Sequence, residues 1–117
     1  MLVSVLMITY NHDKFIEKAI YGVLMQQTNF DVELIIGNDS SIDDTNNIIN
    51  EILKTNQSSK SIKYFYNEIN LGTQKNFKFI YAKAEGDYIA ICEGDDYWTD
   101  PFKLQKQVDF LEANPNY

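Results

Sequence analysis

One cysteine in 117 residues is too few for an internal disulfide or a cysteine-built zinc cluster, so neither kind of staple holds this chain together. That cysteine, Cys92, lies in the apolar run YIAIC and reads as a buried strand residue, compatible with a reducing compartment. Basic residues are scarce as well, ten against seventeen acidic ones, for a net charge of -7. With no lysine-rich run or basic stripe, a nucleic-acid backbone and an anionic membrane are excluded as direct partners, and an anionic ligand would need a cation to bridge it. No segment is apolar for long enough to span a bilayer. The opening MLVSVLMITYNHD also lacks the basic flank and small-residue cleavage site of a signal peptide. Missing too are a G-x-G-x-x-G turn after the first apolar run, which argues against a dinucleotide-binding domain, and any repeat, low-complexity tract or linker. What remains is one cytoplasmic domain, whose 44% hydrophobic content suffices for a single core.

What is present is an alternation of short β-rich runs with segments of helical period. Leu2 to Ile8, Val32 to Gly37, Ile62 to Tyr66 and Tyr88 to Cys92 predict strands. Phe15, Ile16, Ala19, Ile20, Val23 and Leu24 mark one face of a first helix, and Ile48, Ile49, Ile52 and Leu53 a second. A third is predicted over Gly72 to Ala84, facing inward through Phe77, Ile80, Tyr81 and Ala84. A fourth carries Leu104, Val108 and Leu111, with Asp100 as its cap and Pro101 as its first residue. The order β-α-β-α-β-α-β-loop-α implies an α/β fold with a mainly parallel sheet covered on both faces. In such sheets ligands bind beyond the carboxyl ends of the strands.

Three polar groups fall at those ends. TYN (Thr9, Tyr10, Asn11) follows the first strand, NDSSIDD the second and EGDD the fourth. Ser40, Ser41 and Asp43 fit a helix cap. Asp39 precedes the reach of that helix and is equally readable as a ligand carboxylate for a base or ribose. Glu93, Asp95 and Asp96 lie too close together to stay charged in a cleft without a counterion. Hard oxygen ligands with no His or Cys beside them suit Mg²⁺ or Mn²⁺, which takes one or two carboxylates and completes its shell with phosphate and water. Gly94 would allow close approach of the backbone to a ligand. His12 reads as a surface or capping residue, and Tyr97 and Trp98 as packing, with sugar stacking as the other reading.

As a set, these residues resemble the nucleotide-sugar-binding half of family 2 glycosyltransferases, inverting enzymes of GT-A fold. SVLMITYN resembles their opening strand, LIIGNDSSIDDT their acidic second-strand motif, and GDYIAICEGDDYWTDPFKL their metal-binding segment. The resemblance implies a Rossmann-like half with strand order 3-2-1-4. It places Thr9, Tyr10 and Asn11 near the nucleotide and Asp39 on its base. Asp95 becomes the chief metal ligand, helped by Glu93, with Asp96 toward the ribose and diphosphate. NLGTQKN resembles a loop that brings a basic residue near the nucleotide, here Lys75, which is also readable as a solvated lysine. Two positions depart from the pattern: Asn38 stands for the first of two paired aspartates, and Glu93 for the aspartate that opens the metal motif. Also implied are a nucleoside diphosphate sugar donor and a glycan or lipid-linked acceptor. The catalytic base is expected downstream, so the chain reads as a donor-binding half that does not itself catalyse and that self-associates. The full protein is placed in the cytoplasm, peripheral at the inner membrane, in surface polysaccharide synthesis. A phosphoacceptor receiver domain would need a further lysine-bearing strand and an acidic pair where TYN stands; a noncatalytic nucleotide-binding or scaffold module stays open beside the enzyme reading.

Overall fold

The computed structural model describes residues 1–116. The elements run β1 (Leu2–Thr9), α1 (Ile16–Leu24), β2 (Asp31–Asn38), α2 (Thr45–Thr55), β3 (Ser61–Tyr66), α3 (Thr73–Tyr81), β4 (Tyr88–Ile91) and α4 (Lys103–Ala113). The four strands form one all-parallel sheet of order β3-β2-β1-β4, as the resemblance implied. Side chains alternate across it, as the two-residue period of a strand requires. Val5 and Met7 of β1 join Leu34 and Ile36 of β2 in a large core with α1, α2, Trp98 and Leu104, while Leu6 and Ile35 face α3 through Ile80. Three helices therefore cover one face of the sheet and α3 alone covers the other.

Element boundaries moved where tertiary contacts intervene. Phe15 was expected on the buried face of the first helix but precedes α1 and is 48% exposed. α3 is shorter than expected and follows Gly72, whose φ of +86° is open to glycine without strain. Tyr81 points outward. The last helix starts at Lys103, two residues after Pro101. Asp100 Oδ1 accepts the Phe102 N–H at 2.9 Å in a preceding turn, and its carboxyl is held below the usual range by Lys106 and that N–H. The helix is instead capped from across the fold. Buried Gln26 accepts the Leu104 N–H on Oε1 at 3.0 Å and donates from Nε2 to the Asp100 carbonyl at 2.8 Å.

Beneath the α3 side of the sheet lies a buried carboxylate, Glu33, on which Ser4, the Glu85 N–H and Lys63 converge. Burial alone pushes Glu33 upward, but those hydrogen bonds and the Lys63 charge outweigh it and hold the carboxyl below its ordinary value of 4.5. A carboxylate depressed in the folded state contributes stability that is present above its unfolded pKa and drains as pH falls through the folded one. Melting temperature should therefore decline below about pH 4.5, and Glu33→Gln should flatten that decline while lowering the melting temperature at neutral pH. An unchanged acid limb in the variant would show that other carboxylates govern it.

Candidate functional site

The parallel register delivers the ends of β1, β2 and β4 to one rim. The Asp39 N–H donates to the Thr9 carbonyl at 2.9 Å, and the Gly94 N–H to the Ile8 carbonyl at 3.0 Å. Between them lies a cavity of about 250 Å³ walled by Thr9, Tyr10, His12, Asp39, Asn76 and Glu93, with Ile8 and Thr73 at its sides.

After β1 the chain turns through Asn11, whose φ of 54° is one that Asn tolerates better than most residues. Its N–H donates to Ser41 Oγ and its Oδ1 accepts the Ile42 N–H, each at 2.9 Å, so Asn11 stitches the first loop to the second and does not wall the cavity. The second loop is held in the same way. Asp43 accepts from the Thr45 N–H and hydroxyl on one oxygen and from the Asp13 N–H on the other, and these bonds outweigh burial to hold its carboxyl low. Asp43 thus serves the start of α2 as expected, whereas Ser41 donates to Asn38 instead of capping. Asn38, where the resemblance calls for an aspartate, is fully buried and donates to the Tyr64 hydroxyl at 3.0 Å. Its Oδ1 also accepts the Ser41 N–H at 3.2 Å, and these neutral groups suit an amide there better than a buried charge.

Asp39 is 4% exposed, and its carboxylate accepts the Leu71 N–H at 2.7 Å and the Gly72 N–H at 2.9 Å. Neither the cap reading nor the ligand reading had anticipated these partners, which lie more than thirty residues away. Asp39 latches the loop between β3 and α3 against the cavity; its Oδ1 also accepts from Asn67 Nδ2 at 3.4 Å, so the lone pair left for a ligand is on Oδ2. Its neighbour Asn76 donates to the Gly37 carbonyl at 2.9 Å and accepts from Asn67 at 3.0 Å. Thr73 and Asn76, which also line the cavity, belong to none of the three polar groups of the sequence, and their i,i+3 spacing at the start of a helix beside a polar loop is the one local sign of them.

The acidic loop after β4 packs directly on Thr9. A Cβ on Gly94 would lie 2.4 Å from Thr9 Oγ1 and 2.9 Å from His12 Nδ1, so glycine is required here by contact with protein atoms, where ligand approach had been expected. Glu93 walls the cavity. Asp95 meets its edge through His12, whose Nε2 lies 3.8 Å from Asp95 Oδ2 while its Nδ1 is 2.9 Å from Thr9 Oγ1. Asp96 is exposed and accepts the Tyr97 N–H at 2.9 Å, outside the cavity wall, and Lys75 is exposed on α3, also outside it. Trp98 is buried in the large core; Tyr97 is exposed with Lys18 over its ring.

Among the described residues no group of three His, Cys, Asp or Glu side chains converges tightly enough to cage a metal. Glu93 and Asp95 nevertheless present hard oxygens with no lysine among the described residues paired to either, a donor set fitting a cation that takes one or two protein carboxylates and fills its shell with phosphate and water. The same carboxylates and Asp96 add to burial in pushing the Cys92 thiol up to about 12. Cys92 should therefore resist alkylation in the folded state at pH 8 and react only on unfolding; rapid native labelling, read by mass spectrometry, would contradict this.

A parallel sheet of order 3-2-1-4 with its polar loops gathered at the strand ends is the arrangement of GT-A glycosyltransferases. The family model described as Glycosyl transferase family 2 matches residues 4–117, and the chain belongs to that family. An uncharacterised protein of Mycobacterium tuberculosis is 42% identical over 96% of this chain and 32% of its own length. A putative teichuronic acid biosynthesis glycosyltransferase of Bacillus subtilis is 34% identical over 94% of the chain and 42% of its own length. The chain thus spans about a third of the length of the first of these relatives. Among solved structures, the mannosyltransferase of Pyrobaculum calidifontis in complex with GDP-Man and Mn²⁺ has a TM-score of 0.85 at 21% identity, over 97% of this chain and 32% of that one. S. aureus TarS 1-349 in complex with UDP-GlcNAc has 0.80 at 24%, over 98% and 32%. At these identities the likeness is one of fold. No helix of the described residues is long and apolar enough to cross a membrane.

Proposed function

We propose that this chain is the donor-binding part, over residues 1–117, of an inverting, metal-dependent glycosyltransferase that moves a sugar from a nucleoside diphosphate to an acceptor hydroxyl in cytoplasmic glycan or surface polysaccharide synthesis. The observation that carries the reading is the convergence of Thr9, Asp39 and Glu93, from three different strand ends, on one cavity. In this reading Thr9, Tyr10 and the remaining lone pair of Asp39 Oδ2 receive the base and ribose, while Glu93 and Asp95 would hold Mg²⁺ or Mn²⁺. When bound there, such a cation would supply positive charge against the departing diphosphate. The acceptor attacks the anomeric carbon from the opposite face, and its base belongs to a segment beyond this chain, as the greater length of the relatives suggests. The solved neighbours captured with UDP-GlcNAc and with GDP-Man and Mn²⁺ support a nucleotide-sugar ligand of this kind.

Calorimetry with UDP and GDP, with Mn²⁺ and with chelator, tests the reading. At least one should bind with metal and lose its affinity with chelator, and Asp95→Asn should erase the difference without lowering the melting temperature. Equal affinity in chelator would overturn the metal's part, and no nucleotide binding at all would overturn the whole. Donor binding without turnover is expected of this chain, and transfer by it alone would show that the base lies within it. Self-association is part of the same proposal: edge strand β4 leaves Ile89 and Ile91 39% and 56% exposed, and Phe102, just ahead of the last helix, is exposed as well. Light scattering at rising concentration should show dimers or larger species; a strictly monomeric chain would remove this part.

A further inference from the structure

His12 sits in the wall of the donor cavity with one ring nitrogen occupied and the other unused. The chain around it is fixed: the His12 N–H donates to Thr45 Oγ1 at 3.0 Å, and its carbonyl accepts the Phe15 and Ile16 N–H groups at 2.9 and 2.8 Å where α1 begins. On the ring, Nδ1 lies 2.9 Å from Thr9 Oγ1, with Gly94 packed against the pair. Nε2 faces the Asp95 carboxylate at 3.8 Å, too long for a hydrogen bond. That geometry selects the tautomer. A lone pair on Nε2 aimed at a carboxylate would be repelled, whereas a lone pair on Nδ1 can accept the Thr9 hydroxyl, which leaves the proton on Nε2. The result is an N–H donor held at the edge of the cavity and turned toward Asp95, with no acceptor within hydrogen-bond distance among the described residues.

The rest of the wall makes that donor consequential. Two of the lining side chains, Asp39 and Glu93, are carboxylates, and His12 is the one lining side chain able to carry positive charge. A diphosphate entering this cavity meets two carboxylates and, apart from any bound cation, no cationic lining side chain other than His12. We propose that His12 is a donor-binding residue, its Nε2–H hydrogen-bonding a diphosphate oxygen of the nucleotide sugar beside Asp95. This deepens the donor-binding reading and rests on it. At 3.8 Å His12 makes no hydrogen bond that would position Asp95.

His12 is the only histidine of the chain, so its ring gives an isolated signature in nitrogen-detected NMR. The ring spectrum should show the Nε2–H tautomer in the free protein. Adding UDP or GDP with Mg²⁺, whichever binds, should shift the Nε2–H resonance. His12→Ala should weaken diphosphate binding by about tenfold to a hundredfold, as expected on losing a hydrogen bond to a charged group. His12→Gln, which keeps an N–H at similar reach, should recover part of that loss. Should His12→Ala fold poorly, the ring signal of the unaltered chain and the His12→Gln affinity decide the matter. A diphosphate that binds while the ring signal stays still, or that binds His12→Ala as tightly as the original, overturns the proposal and leaves the donor reading standing. Failure of the unaltered chain to bind either diphosphate with Mg²⁺ or Mn²⁺ overturns both.

Discussion

Asp39→Ala is expected to lose both stability and nucleotide affinity. Its carboxylate accepts two backbone N–H groups of the β3–α3 loop while 96% of its surface is covered. Removing it strands those donors and frees the loop that bears Leu71 and Gly72. Charge-assisted bonds of this kind are each worth about 1.5–3 kcal/mol, and two on one carboxylate add incompletely, so a loss of about 2–4 kcal/mol is expected. For a chain of this size that lowers the melting temperature by on the order of 10 °C. Asp39→Asn should be little better, since an amide NH₂ would turn a donor toward one of the two backbone N–H groups. Nucleotide affinity should fall with stability, because the latch shapes the cavity wall that Asp39 shares with Thr73 and Asn76. Calorimetry alongside thermal melts separates the roles: a melting temperature unchanged in Asp39→Ala would show that the loop holds its place by other contacts.

Gly94→Ala should be the more disruptive change at the acidic loop, though it touches no carboxylate. The new Cβ would lie 2.4 Å from Thr9 Oγ1 and 2.6 Å from Thr9 Cβ, and the end of a β-strand yields less readily than the tip of a flexible side chain. Overpacking of this sort costs about 1–3 kcal/mol, and relief requires the loop to lift away from β1. Lifting it separates Glu93 and Asp95 from Thr9 and His12. Metal-dependent nucleotide affinity should therefore fall by about tenfold or more, a 1 Å displacement being enough to spoil a site built on fixed groups. The contrast with Asp95→Asn is the check, since that variant should lose metal dependence while melting normally. A Gly94→Ala chain that binds nucleotide as before would mean that the carboxylates reach their ligand from a loop more adaptable than the contacts suggest.

Much of the architecture was legible in the residues, because strand and helix periods are local properties. The apolar runs around Val5, Leu34 and Ala90 could hardly be other than strands, and the alternation with Ile16 to Leu24 and Ile49 to Leu53 dictated a parallel sheet, since parallel neighbours need crossover helices. From that followed the rim on which Thr9, Asp39 and Glu93 meet. The acidic loop announced itself by charge density alone. What a residue does at that rim was not local. Asp39 takes its partners from a loop more than thirty residues on, His12 is aimed by Thr9 and packed by a glycine about eighty residues away, and the Leu104 N–H in the first turn of α4 is satisfied by Gln26 from the loop after α1, while Asp100 and Pro101 stay outside that helix. Lys75 and Asp96 are polar groups at the right place in the chain that three-dimensional packing leaves outside the cavity. Composition and periodicity determine which elements form and at which end of the sheet chemistry gathers. Only the register of the parallel strands and the close packing of their loops decide which polar side chains are spent on holding those loops and which are left free to meet a ligand.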